Sequence, residues 1–166
     1  MPYVFCPDCG GRLEDRVLDD HPRRVCRECG FILYENSKPC VGVLVVQDGQ
    51  LLLVERAIEP FKGYWDVPGG FLEPGEHPVA GSIRELQEET GLTVRPTELL
   101  GVWMDVYGER QEPTLNLGYL AEVVGGEAVA GSDASALRWF PLTDLPEQIA
   151  FAWEAEAIAV LKSRLT

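Results

Sequence analysis

Residues 70–92 read GFLEPGEHPVAGSIRELQEETGL, and no other stretch confines this chain so tightly. Pro78 suits a first helical turn, where its missing N–H costs nothing. Gly91 stands where a helix would stop in a left-handed cap. Between them Val79, Ile83 and Leu86 follow the i, i+4, i+7 rhythm of an apolar stripe, so the pattern predicts a helix over residues 78–90. At 3.6 residues per turn, Glu85, Glu88 and Glu89 fall together on roughly the opposite face. Three like charges placed so closely repel and weaken a helix. Two readings fit them: a solvated acidic face, or clustered oxygens for a hard divalent cation such as Mg2+ (or Mn2+). The upstream loop Trp65-Asp66-Val67-Pro68-Gly69-Gly70-Phe71 favours the second. Two adjacent glycines just before a helix let the backbone approach a ligand closely or take a positive φ.

A second pattern lies upstream. Cys6-x2-Cys9 is followed, after sixteen residues, by Cys26-x2-Cys29, inside the spacing range of a four-cysteine zinc site. Each pair runs into glycine, at Gly10-Gly11 and Gly30, which leaves room for a tight turn aiming backbone N–H groups at the thiolates. Four thiolates fill a tetrahedron, so this zinc would be structural. Two disulfides in a secreted protein would use the same cysteines, but residues three apart rarely suit a clean disulfide, and no hydrophobic leader precedes Cys6. Cys40 is left over in an apolar run and reads as a buried small hydrophobe.

Composition agrees. With 166 residues the chain can hold one ordinary domain plus a small appendage, here residues 1–36 and 37–166. Its 14 basic residues against 27 acidic give a net charge of −13, unfavourable for sequence-independent binding of nucleic acid. The cysteine-bearing segment is the exception, with Arg12, Arg16, Arg23, Arg24 and Arg27. No apolar run is long enough to cross a membrane. Free thiols, zinc ligands and the missing leader imply the cytoplasm.

Glu35–Pro39 reads as a turn-like connector. Strands are expected at 41–47 and 51–55, joined through Asp48-Gly49, and at 99–106, 115–124 and 137–141. A closing helix over 150–161 would show Phe151, Ala155, Ile158 and Leu161 on one face. Strands, a helix, more strands and a final helix make an α+β sandwich with a mixed sheet.

The 70–92 stretch resembles the Nudix box, G-x5-E-x7-R-E-U-x-E-E-x-G-U with U aliphatic, at every fixed position: Gly70, Glu76, Arg84, Glu85, Glu88, Glu89 and Gly91, with Leu86 and Leu92. The resemblance implies the Nudix α/β/α sandwich over about 40–162 and hydrolysis of a nucleoside diphosphate linked to another moiety. It implies that the Gly69 carbonyl, Glu85 and Glu89 hold Mg2+, with Glu88 sharing a further ion, and that Arg84 orients the carboxylates. Glu76 would pair with Arg84 and, with Gly70 and Gly91, brace loop against helix. Glu85, Glu88 and Arg84 are thus the candidate catalytic residues. The base is a box glutamate in some members and a later loop acid in others. Many relatives have an acid where this chain has Ala136, which leaves Glu109, Glu112 and Asp133.

Nudix proteins with a four-cysteine ribbon include NADH pyrophosphatases and a related group cleaving FAD or ADP-ribose. This chain is similar to the second, because neither an SQPWW-type motif after the box nor a CoA signature before it is present. NADH or another dinucleotide stays as the alternative substrate, and a non-catalytic nucleotide-binding regulator as the alternative class. Phe61, Trp65, Trp103 and Tyr107 are the aromatics that could stack a base or flavin, one or two of them at most. Related enzymes are often homodimers.

Overall fold

The computed structural model describes residues 3–131 and 133–165. The chain divides into two compact units, one ending at Asn36 and the other starting at Ser37. In the first, β1 (Leu13–Leu18) and β2 (His21–Cys26) form an antiparallel hairpin, and β3 (Ile32–Leu33) pairs with β2. Asp19 and Asp20 turn that hairpin at φ 50° and 62°, the left-handed pair a two-residue connection requires. Its core is small: Cys6, Leu13 and Cys26 are buried, with Phe31 and Leu33 against them.

The second unit begins with β4 (Lys38–Gln47) and β5 (Gln50–Arg56), joined by Asp48 and Gly49 at φ 50° and 74°. Two short strands follow, β6 (Trp65–Asp66) on β5 and β7 (Gly69–Phe71) on β4. Helix α1 (Pro78–Thr90) leads into β8 (Leu92–Tyr107), β9 (Glu112–Gly126) and β10 (Ala134–Pro141), and α2 (Ala152–Leu165) closes the unit. The main sheet runs β10-β5-β4-β9-β8, with β4 parallel to β9 and the other pairs antiparallel. This is the mixed sheet expected.

Alternation along β4 and β5 sets the layers. Val43, Val45 and Leu52 face one side and meet Leu86 and Ile83 of α1. Leu44, Leu51 and Leu53 face the other and meet Trp153, Ala157, Ile158 and Leu161 of α2. The sheet is therefore sandwiched between its helices, and Leu86 alone, fully buried, contributes about 1.5–3 kcal/mol. α1 has the expected bounds: His77 caps it by accepting the Val79 N–H at 3.2 Å, and Gly91 ends it at φ 70°.

Several bounds differ from the sequence reading: β9, β10 and α2 run Glu112–Gly126, Ala134–Pro141 and Ala152–Leu165, against the expected 115–124, 137–141 and 150–161. Lys38 and Pro39 are already paired with Thr114 and Leu115, so the connector is shorter than 35–39. β8 starts at Leu92, not 99. Pro96 hides that start, yet β8 is the last strand of the sheet, where a proline sacrifices no inner ladder bond, and register shifts flank it. The inner face of α2 is also rotated by a residue: Ala155 is exposed, whereas Trp153, Glu154, Ala157, Ile158 and Leu161 are buried. A glutamate thus occupies a position that the apolar stripe predicts for alanine.

Candidate active site

The β6–α1 segment is pressed onto the sheet, and its two glycines are there for space. Neither has a positive φ. A Cβ on Gly69 would overlap the Val41 carbonyl oxygen, and one on Gly70 would stand 2.6 Å from the Glu85 carboxylate. The close approach permits a bond that joins loop to helix: the Gly69 N–H donates to Glu89 Oε2 at 2.9 Å.

Arg84 ties the same loop from outside. Its Nε and Nη2 donate to both oxygens of Glu76 at 2.8 and 2.7 Å, the bidentate geometry that makes arginine–carboxylate pairs strong. Nη1 reaches Glu85 at 2.7 Å and Glu88 at 3.2 Å, and Nη2 also donates to the Phe71 carbonyl at 3.2 Å. Arg84 holds the Glu76 carboxyl down to about 2. The brace expected between Glu76 and Arg84 is therefore formed.

The three helix glutamates do not share one environment. Glu85 and Glu89 line a cavity of about 290 Å³, together with Gly69 and Gly70. The Glu88 side chain is 60% exposed and is not among the residues that line it. Burial raises the Glu85 carboxyl against the opposing pull of Arg84. Burial also pushes Glu89 up to about 8, reinforced by the neighbouring charge of Asp66. Two carboxylates on one cavity, both raised by burial, offer oxygen donors that a hard cation stabilises in their charged form. The residues present fit a divalent ion.

Other lining residues escaped the sequence reading. Arg56 at the end of β5 forms an ion pair with Asp66, donates Nε–H to the Pro60 carbonyl at 2.7 Å and lies over the Phe151 ring at 5.1 Å. Tyr107 is stacked on Phe151 at 5.9 Å and meets Phe71 edge-on at 5.1 Å, giving the cavity an aromatic wall. Of the four aromatics expected near substrate, Tyr107 lines the cavity. Trp65 and Trp103 do not: they turn into the core against Phe140 and Trp153. Phe61 stays outside, 42% exposed and edge-on to Phe151. Among the loop acids, Asp133 lines the cavity; Glu109 is exposed and Glu112 is ion-paired with Lys38. Cys40 is buried as expected and also lines the cavity, its thiol pushed up to about 12 by burial.

In the other unit the sulfur atoms of Cys6, Cys9, Cys26 and Cys29 all lie within 4.8 Å of one another. Cys6–Cys29 and Cys9–Cys26 are separated by 3.7 and 3.5 Å, well beyond a disulfide bond and close to the ~3.8 Å edge of a tetrahedron with 2.3 Å zinc–sulfur bonds. Backbone N–H groups of Asp8 and Gly11 point at Cys6 and Cys9, each at 3.4 Å.

Comparison with known proteins agrees with this geometry. Residues 36–161 match the NUDIX domain family, and residues 4–35 match a zinc-ribbon family described as Nudix N-terminal. An ADP-ribose pyrophosphatase of Methanocaldococcus jannaschii is 36% identical over 117 residues, 70% of this chain and 69% of the relative. A NAD-capped RNA hydrolase, NudC, of Vibrio atlanticus is 31% identical over 144 residues, 86% of this chain; the chain spans about half of that relative, 51%. Among solved structures, a NUDIX hydrolase from Nitrosomonas europaea superposes with a TM-score of 0.81 at 30% identity, covering 96% of this chain and 89% of the other.

Proposed function

The chain belongs to the Nudix hydrolase family, and on that premise we propose that it is an Mg2+-dependent pyrophosphatase of ADP-ribose, with FAD as its second substrate. Nucleotide pyrophosphate hydrolysis is the common ground of its relatives. The observation that carries the reading is the convergence of Glu85, Glu89 and the Gly69 segment on one cavity with an aromatic wall.

Glu85, Glu89 and the Gly69 carbonyl would hold the ion, and the more exposed Glu88 would share a further one. When bound, the cation neutralises phosphate oxygens and stabilises the charge that builds as water adds to one phosphorus and the bridging P–O bond breaks. The chain's own groups prepare for that. The Gly69 N–H aims Glu89, and Arg84 aims Glu85 while offsetting part of its charge. Arg56 places a buried cation beside the aromatic wall, suited to a phosphate oxygen next to a base. Tyr107, Phe71 and Phe151 offer the apolar rings on which a nucleobase packs. A single pyrophosphate flanked by a nucleoside and a compact sugar suits a cavity of about 290 Å³ better than a polymer end does.

The test is a panel of ADP-ribose, FAD, NADH, NAD-capped RNA and nucleoside triphosphates, assayed with and without Mg2+. ADP-ribose should give AMP and ribose 5-phosphate, only with the metal. A nucleoside triphosphate or NAD-capped RNA turned over tenfold more efficiently than ADP-ribose and FAD would overturn the substrate choice, an energy difference of about 1.4 kcal/mol.

The cysteine unit is proposed to hold one structural zinc, which supplies much of the folding energy its small core lacks. Elemental analysis should find close to one zinc per chain in the wild type and none in Cys26→Ser. Zinc-free wild-type protein with oxidised cysteine pairs would refute it.

A further inference from the structure

Glu154 and Glu156 are near neighbours on α2 with opposite surroundings. Glu156 is exposed, whereas Glu154 is 1% exposed and lies at the inner end of the catalytic cavity. Oε1 of Glu154 accepts the Val67 N–H at 3.3 Å. Its Oε2 is buried and makes no hydrogen bond; the Asp66 carboxyl and the Phe151 backbone N–H are the polar groups beside the Glu154 carboxyl, along with Val67. Asp66 is itself buried and ion-paired with Arg56.

A charge count around this pair is decisive. Arg56 on β5 is the cation in contact with Asp66. Facing the pair are Glu85 and Glu89 from α1, Tyr107 from β8 and Asp133 ahead of β10, all on the same cavity. Asp105 of β8 lies behind it, accepting the Trp153 N–H at 3.0 Å. If Glu154 and Asp66 were both ionised, one arginine would face two buried carboxylates in an acidic surround, and one buried charge would be unpaired, at several kcal/mol. A proton shared between them removes that charge and gives Oε2 the hydrogen bond it lacks, as in other carboxyl pairs at close range.

We propose that Glu154 is a protonated positioning residue, whose Oε2–H donates to Asp66 while its Oε1 accepts from Val67, so that α2 clamps the 66–69 segment whose Gly69 N–H aims Glu89. Burial, with Asp66 beside it, raises the Glu154 carboxyl well above the usual carboxylate range, in line with this assignment. The consequence for the reaction rests on the function proposed above; the protonation state does not.

Replacing Glu154 by glutamine tests the assignment directly. The amide keeps an oxygen for Val67 and offers Asp66 a permanent N–H. A neutral donor is therefore matched by Glu154→Gln, whereas an ionised base or a metal ligand would be destroyed. Glu154→Gln should keep kcat and Mn2+ affinity within about threefold of wild type, and Glu154→Leu should weaken both by about tenfold or more, since it strands a buried donor and acceptor.

A second readout needs neither substrate nor metal. A carboxyl whose pKa is raised on folding stabilises the protein fully below its unfolded pKa, and that stability is lost as pH rises toward the folded value. Without added divalent cations, the melting temperature of Glu154→Gln should therefore gain steadily on wild type as pH rises above about 5, the ordinary carboxylate range. A loss of activity on the order of a hundredfold in Glu154→Gln, with the fold intact, would show an ionised catalytic role and overturn the proposal. So would a melting-temperature gap that stays constant with pH. If Glu154→Leu fails to fold, the glutamine variant still decides. Wild type without pyrophosphatase activity would refute the function, and the melting comparison would still test the pair.

Discussion

Helices α1 and α2 lie on opposite faces of one sheet, and both send carboxyl groups into the same cavity: the half-buried Glu85 and Glu89 from α1 and the buried Glu154 from α2. They do so in opposite company. On α1, Glu85 and Glu89 stand among Arg84, Glu76 and the Gly69 N–H, groups a few ångströms away that bind, orient or partly neutralise them. On α2, Glu154 stands among Trp153, Ala157 and Ile158, and it meets Asp66 of distant β6 and Val67 just after it. On the roles proposed above, the same functional group would be an ion ligand in one setting and a neutral hydrogen-bond donor in the other. Local charge, more than residue type, separates the two.

The sharpest way to break this contrast is Glu89→Gln. It removes one ligand charge while keeping shape, so kcat should fall by about 10²–10³-fold, the scale of losing one preorganised electrostatic group. Circular dichroism should be unchanged. Activity within tenfold of wild type at saturating Mg2+ would sink the role given to α1.

The α2 side should respond in stability instead. Gly42 on β4 leaves room for the Trp153 ring, which a Cβ there would overlap. Gly42→Ala forces the ring and α2 to shift and should cost about 1–3 kcal/mol by thermal or urea unfolding, the usual cost of overpacking. If stability is unchanged, the packing of α2 on β4 is looser than described.

The smallest effect is expected at Glu88. Its side chain is mostly exposed and contacts Arg84 at 3.2 Å. Glu88→Gln should lower kcat by about tenfold, roughly 1.4 kcal/mol, and raise the Mg2+ concentration needed. A loss as large as that of Glu89→Gln would place all three helix glutamates on equal terms and erase the distinction between the exposed glutamate and the two that line the cavity.

Legibility in the sequence followed the same division. α1, its caps, the Glu76–Arg84 brace and the cysteine cluster could be read because their partners are a few residues apart or repeat at fixed spacing. The Asp48-Gly49 hairpin was legible through turn chemistry. Arg56, Asp66 and Glu154 were not, since their contacts join β5, β6 and α2, and no local period records such a meeting. Glu154 was further hidden because a charged residue in a helix is ordinarily placed outward; the apolar stripe was drawn through Ala155 in its stead. The sequence identifies aromatic rings but not the side of the sheet they face: Trp65 and Trp103 pack against the core, whereas Phe71 and Phe151 line the cavity.

Mn2+ binding followed by electron paramagnetic resonance tests the central claim most directly, because it asks whether Glu85 and Glu89 form an ion site before any substrate is added. The wild type should bind Mn2+ in competition with Mg2+, Glu89→Gln should weaken that binding by about tenfold or more, and Cys26→Ser should leave it unchanged. Equal Mn2+ binding by wild type and Glu89→Gln would contradict the account.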